Sequence, residues 1–244
     1  MKTGIRRRLA VVVAATVALG GLGVLAGAAP IVFSTTPVAG WSTNGTVWAV
    51  RIVGDTVYAG GDFTTVRPPG GGPAIARSRL AAWDVRTGAL RSGFSADANG
   101  RVESLASDGT KLFVGGDFTT IKGVSKSRLA AVDLTSGNVV SGWTANASSH
   151  VYALRVHGPR LYVGGAFGTL AGTTRAKVGA VSTASGAIDA AFNPVLDDAV
   201  HGITTSPDGA TVYLAGDFTT VGGQPRGYLA AVPATTGGPG RVWS

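Results

Sequence analysis

Apolar and polar side chains alternate along this chain in short runs, broken by glycine-containing pairs that favour tight turns. Residues 102–107 read VESLAS, Asp108-Gly109 leads into KLFVGGDFT, and a polar loop, RLAAVDL, Thr135-Ser136-Gly137 and NVVSGWTA follow. Period-two alternation separated by Asp-Gly and Ser-Gly is the mark of antiparallel strands joined as hairpins. The stretch therefore predicts four short strands. No long stripe of period 3.6 competes with them, and 38 glycines with many Val and Thr point the same way.

The pattern recurs. YAGGDFTTV at 58–66 returns as FVGGDFTTI at 113–121, YVGGAFGTL at 162–170 and YLAGDFTTV at 213–221. The second glycine falls at Gly61, Gly116, Gly165 and Gly216, so the intervals are 55, 49 and 51 residues. An aromatic marks each boundary at Trp41, Phe94, Trp143, Phe192 and Trp243, and RLAAWD, RLAAVD, KVGAVS and YLAAVP share one column. Repeats of this period, each with four antiparallel strands, predict an all-β fold of the β-propeller kind. Its four units span about 41–93, 94–142, 143–191 and 192–243. Four such units stand at the low end for a closed ring, which predicts either a small closed ring or an arc completed by a second copy.

The repeated motif reads as scaffold. Adjacent glycines in a strand are kept where another backbone comes close, and Phe63, Phe118, Phe167 and Phe218 are expected to fill the space between units. The GGDFT element, the LAAVD…TG element and the boundary aromatic resemble the delta-60 repeat propellers of secreted bacterial proteins over residues 41–243. That resemblance implies a secreted propeller and leaves its role largely undefined. Ala82, Asp84, Thr87 and Gly88 are also similar to the blade motif of quinoprotein dehydrogenases. The ring that follows, Phe94, comes six residues after Gly88, two later than that motif allows. This likeness supports the blade and not the quinone.

Before the repeats, Lys2 and Arg6-Arg7-Arg8 precede an apolar run from Leu9 to Leu25 and the small residues Ala26-Gly27-Ala28. Residues 1–28 read as a secretory signal peptide cleaved near Ala28, and the expected location is outside the cell, with no membrane attachment after cleavage. Four of the 21 Lys and Arg lie in that leader and none of the 13 Asp and Glu do, leaving 17 against 13. So mild an excess, with no basic run interleaved with aromatics, excludes a nucleic-acid footprint. The absence of cysteine excludes disulfides and a lipid-anchored lipoprotein.

Columns that vary inside a repeated scaffold are where units differ in task. Aligning Val47, Val102, Val151 and Val200 puts Trp48, Glu103, Tyr152 and His201 in the next column. The column before holds Thr46, Arg101, His150 and Ala199. On strands crowding a propeller axis, Trp48, Arg101, Glu103, His150, Tyr152 and His201 are the candidate ligand-binding residues, with Trp48, Tyr152 and His201 expected on a shared axial pocket. An acid column, Asp62, Asp117, Ala166 and Asp217, is expected to pair within each unit with Arg77, Lys126, Arg175 and Arg226, with the third unit lacking its acid. Asp197-Asp198 reads as a solvated loop. The loop from Thr65 to Arg77 carries an inserted PPGGGP and is expected to overhang the face bearing Arg101 and His150.

Other chemistry lacks its parts. His150, His157 and His201 sit in different loops without cysteine or calcium-type acidic spacing, so no metal or cofactor is expected. Neither a Gly-x-Ser-x-Gly elbow nor a phosphate loop occurs, and no catalytic residue is assigned. The expected function is a secreted module that binds an extracellular glycan or protein. The rival is a propeller-scaffold enzyme, either a quinone-dependent dehydrogenase or a polysaccharide lyase or hydrolase.

Overall fold

The computed structural model describes residues 40–238. The signal peptide read at 1–28 and the boundary residue Trp243 lie outside them. The described chain is all-β, without helices, and its strands pair antiparallel throughout.

Four three-stranded sheets follow one another. The first comprises Val47–Val53, Thr56–Gly61 and Leu80–Asp84, and the second Val102–Ser107, Lys111–Gly116 and Leu129–Asp133. Val151–His157, Arg160–Gly165 and Val178–Ser182 form the third, and Val200–Thr205, Thr211–Gly216 and Leu229–Pro233 the fourth. In each the second strand lies in the middle. The chain between the second and third strands forms a small hairpin, such as Thr120–Ile121 with Val124–Ser125. Lys122 and Gly123 turn it with φ of 49° and 75°, as a tight type I′ turn requires.

The fourth strand expected in each unit is reduced to a single bridge in the first three units, and that of the last unit extends beyond the described residues. Val139 bridges Val132, Leu90 bridges Trp83 and Ile188 bridges Val181. In the second unit Asn138 accepts from the Asp133 N–H and the Val140 N–H donates to Ala131. The chain then turns through Ser141-Gly142 to bury Trp143. Delivering that ring to the core takes the backbone off the sheet edge.

Successive sheets pack through one repeated joint. The first strand of each lies against the first and second strands of the sheet before it. Tyr58, Leu80 and Ala82 of the first sheet share a core with Val102, Leu105, Leu112 and Val114 of the second. The same columns meet twice more. The boundary aromatic locks each joint: Phe94 stands edge-on to Tyr58 at 5.2 Å, Phe192 edge-on to Tyr162 at 5.0 Å, and Trp143 tilts against Phe113 at 5.4 Å.

The joint explains the glycine pair residue by residue. A Cβ on Gly115 would stand 2.6 Å from Val151 Cγ1, and one on Gly164 2.7 Å from Val200 Cγ1. Each first glycine is thus where the next sheet presses in. The fourth unit has Ala215 there, exposed, with no later sheet against it among the described residues. The second glycine answers to its own sheet, since a Cβ on Gly116 would fall on the Arg101 carbonyl. That carbonyl accepts the Asp117 N–H, and the same bond recurs at Asp62, Ala166 and Asp217. Phe63, Phe118, Phe167 and Phe218 follow, all fully buried.

The two threonines are held from the preceding linker. Asn99 Oδ1 accepts from the Thr119 and Thr120 N–H groups. Asn44 and Asp197 do the same in the first and fourth units, and in the third Ser148 Oγ accepts from the Gly168 and Thr169 N–H groups. Asp197 and Asp198 lie exposed in a loop, as expected from sequence, and Asp197 serves there as a structural clamp as well. The Asp-x-x-Thr/Ser-Gly element is likewise a turn: Asp84 accepts from the Arg86 and Thr87 N–H groups, and Asp133 from those of Thr135 and Ser136.

Gly115→Val is expected to cost about 1–3 kcal/mol, the usual range for overpacking, whereas Ala215→Val in dilute solution should stay within about 0.5 kcal/mol. Thermal melts giving the two variants equal Tm losses would refute this account of the glycines.

The turn carboxylates also set the acid limit. Hydrogen bonds hold several below the usual range: chiefly the Thr87 N–H at Asp84, the Ser136 hydroxyl at Asp133, the Thr219 hydroxyl at Asp197 and the Ser206 hydroxyl at Asp208. A carboxylate depressed on folding stabilises the fold above its unfolded value, near 3.9, and that contribution vanishes as pH falls through the folded value. Tm should therefore drop steeply on going from about pH 5 to pH 2, and less steeply for Asp133→Asn. A Tm that is flat or rising over that interval would contradict the assignment.

Candidate functional site

The first strand of every sheet carries a β-bulge at one position. Pairing jumps between Val47 and Ala49, Val102 and Ser104, Val151 and Ala153, and Val200 and Gly202. The bulged residues are Trp48, Glu103, Tyr152 and His201. A bulge breaks the alternation and re-aims one side chain, so the column that varies most in chemistry is the one the backbone turns out of register.

The flanking acids tie these residues into a strip across adjacent sheets. Trp48 Nε1 donates to Asp62 Oδ2 at 2.9 Å. Arg101 Nε donates to Asp62 Oδ1 at 2.8 Å, and its guanidinium carbon lies 5.2 Å from the centre of the Trp48 ring. Arg101 also reaches Glu103 Oε1 at 3.3 Å. One sheet further on, His150 Nε2 meets Asp117 Oδ1 at 2.8 Å, with Arg128 Nε 3.4 Å from the same oxygen. His150 Nδ1 lies 3.2 Å from the Tyr152 hydroxyl. The Tyr152 and His201 rings are 4.7 Å apart, and His201 Nε2 donates to Asp217 Oδ2 at 2.7 Å.

All six candidate residues fall on this strip, but they do not form one pocket. A cleft of about 360 Å³ takes Arg101, Glu103 and His150, together with Asp62, Arg79, Gly100 and Asp117. Trp48 flanks it, 53% exposed, while Tyr152 and His201 carry the strip onward past His150. The shared pocket expected for Trp48, Tyr152 and His201 is thus an extended surface. The cleft takes nothing from the PPGGGP insertion, which folds back as a hairpin beside Ser42–Thr43.

The acids pair differently from the sequence expectation. Arg77, Lys126, Arg175 and Arg226 donate to backbone carbonyls, those of Ala76, Trp143, Thr174 and Pro225 among them. Asp62 and Asp117 instead reach forward to Arg101 and His150 of the next sheet. They clamp a joint, and Asp117 also lies 3.4 Å from Arg128 of its own unit. Between the third and fourth sheets both halves of the clamp are missing, since Ala166 and Ala199 occupy the two positions. Asp217 has no later sheet among the described residues and takes His201 of its own.

Two groups sequence reasoning had not counted in the site complete it. Arg79 and Arg128 stand at left-handed positions, φ 67° and 64°, as do Lys177 and Tyr228 at 68° and 67°. A non-glycine residue there is uncommon, and its recurrence in one column shows that the joint requires it. The N–H of each donates to the Phe carbonyl of its own unit. That bond aims the Arg79 side chain at the cleft wall, where Nη1 donates to the Ala98 carbonyl.

The strip has uneven electrostatics. Burial pushes the Asp62 carboxyl up, but the Trp48 N–H and the Arg101 guanidinium outweigh it and hold the group below the usual range. Burial dominates at Glu103, whose carboxyl is pushed up against the pull of Arg101. Its Oε2 is buried without a hydrogen-bond partner. Burial, and then the charges of Glu103, Asp117 and Asp217, raise the Tyr152 hydroxyl. Among the described residues, no group of three or more His, Asp or Glu is placed to hold a metal ion.

Comparison with known proteins adds only to the fold. No family model matches the chain. No curated protein matches it either. Among solved structures, the computationally designed Ika4 protein superposes with a TM-score of 0.53 at 13% identity, over 79% of this chain and 93% of that one. At that identity the likeness is one of fold.

The missing clamp can be restored. Ala166→Asp together with Ala199→Arg should show a favourable coupling of up to about 1 kcal/mol, as expected for a partly exposed pair. A double-mutant cycle by chemical denaturation measures it, and zero or unfavourable coupling would refute the forward-reaching geometry.

Proposed function

We propose that the chain is a secreted β-propeller-type module of four repeats that binds an extracellular glycan along the inner strip. The observation that carries the reading is the bulge column: four repeated bulges present Trp48, Glu103, Tyr152 and His201, one to a sheet. Aromatic faces offer apolar area to the C–H faces of sugar rings, while carboxylates, guanidinium and imidazole offer hydrogen bonds to hydroxyls between them. The cleft beside Trp48, about 360 Å³, lies in the size range of small-ligand sites. Asp62 and Arg101 already hold each other there, so the polar wall is arranged before a ligand arrives, which lowers the ordering cost of binding. Resemblance to secreted delta-60 propellers supports the extracellular setting.

A second reading rests on Glu103. A carboxyl pushed up by burial, with one oxygen unpartnered at the cleft, is the form a proton donor takes in sugar chemistry. On that reading the module is a polysaccharide lyase or hydrolase.

A glycan array followed by titration calorimetry tests the first reading. Saturable binding is expected, with Trp48→Ala and Arg101→Ala each weakening it at least about tenfold, or 1.4 kcal/mol, at an unchanged fold. Absence of saturable glycan binding, or binding indifferent to both substitutions, would overturn it. Release of shortened or unsaturated sugars, lost in Glu103→Gln, would establish the enzyme instead.

A further inference from the structure

The joint that forms three times inside the chain is left half-made at each end of the described residues. On the first sheet Val47, Val50 and Val57 occupy the columns of Val102, Leu105 and Leu112, which the preceding sheet buries in the second unit. Here Val50 is 62% exposed, and an apolar cleft of about 630 Å³ opens between Trp41, Trp83 and these valines. On the fourth sheet Leu229 occupies the column of Leu80, Leu129 and Val178, all fully buried, yet is itself 62% exposed. One open face is a socket and the other its plug, and neither matches itself. Apolar faces of this kind mark interaction sites.

We infer that two copies of this chain join head to tail, the fourth sheet of each covering the first sheet of the other, so that eight sheets form one closed set. The occupant is a second copy because the two open faces carry the same residue columns that recognise each other at the internal joints. A heterologous contact made twice closes and leaves no open face. Asp217, whose side chain is 63% exposed, stands at the edge where Asp62 and Asp117 reach forward to the next sheet. The column it faces in the copy holds Thr46. Ala215 replaces the glycine of the internal joints and keeps the copy's Val47 further out, so the joint between chains is weaker than those within one. The pairing stands independently of any ligand.

Sedimentation velocity of the full chain over a concentration series tests the inference. The mass is expected to rise with concentration from the 24.4 kDa of one chain to twice that value. Ala215→Gly should move the transition to lower concentration. Val50→Asp and Leu229→Asp, at positions exposed in the single chain, should each hold the mass at one chain while retaining Tm. An equimolar mixture of those two variants should regain the heavier species, since one head-to-tail joint then remains intact. A wild-type mass that stays at one chain, a mass that grows past two, or a doubled mass retained by either Asp variant overturns the proposal.

Discussion

The closest approach in this molecule is between neighbouring sheets, at the glycine where the next sheet's valine enters, and most other features follow from it. Bringing two sheets that near removes Tyr58, Leu112, Phe113, Val163 and their like from water. At roughly 1.5–3 kcal/mol for each large side chain, such joints replace the disulfides that a chain without cysteine cannot form. The approach is possible only where the middle strand has no side chain, which fixes Gly60, Gly115 and Gly164. It also needs a ring carried across from the linker. In the first three units the outer strand is cut short to deliver that ring, so a unit that could have held four strands holds three and a bridge.

The same joint builds the strip. The second glycine lets the carbonyl before the first strand bond to the N–H of the following Asp, which turns that acid toward the next sheet. The bulge one residue into the first strand then brings a neighbouring side chain out beside the acid. Scaffold and site therefore share a backbone device: the scaffold needs the carbonyl and the bulge, and the side chain at the bulge is free to differ between units. That is why four residues as unlike as Trp, Glu, Tyr and His can occupy one column of an otherwise repetitive fold.

Much of the fold was legible because it repeats. Alternation, turn pairs and the intervals between glycines led to antiparallel sheets, and the Phe column proved buried in every unit. The candidate strip was legible in part: the bulge column supplied four of the candidates and the column before it Arg101 and His150, but aligning repeats compares equivalent positions and hides contacts between unlike ones. Asp62 meets Arg101 thirty-nine residues later, in the next repeat and another column. A signal was present, since the unit with Ala166 in place of the acid is followed by Ala199 in place of the partner. The outer strand was misjudged for a different reason, because the ring of NVVSGW gains more from the core than its backbone gains from the sheet edge.

The strip is not uniform from end to end. Its first joint combines a guanidinium, two carboxylates and an exposed indole, the second an imidazole and a phenol, and the third has no clamp at all. At the first joint Arg101 lies between Asp62 and Glu103. Trp48 is also 53% exposed there. A ligand needing both a flat apolar face and fixed polar partners finds them together at that end. Between Tyr152 and Asp217, imidazole and phenol rings dominate, and the polar groups are largely engaged with one another. If two chains join as inferred, the fourth sheet of one copy comes to lie beside Trp48 of the other. The joint would then bring the end of one strip to the start of the next, and a long polymer rather than a single sugar would be the ligand able to use the full length.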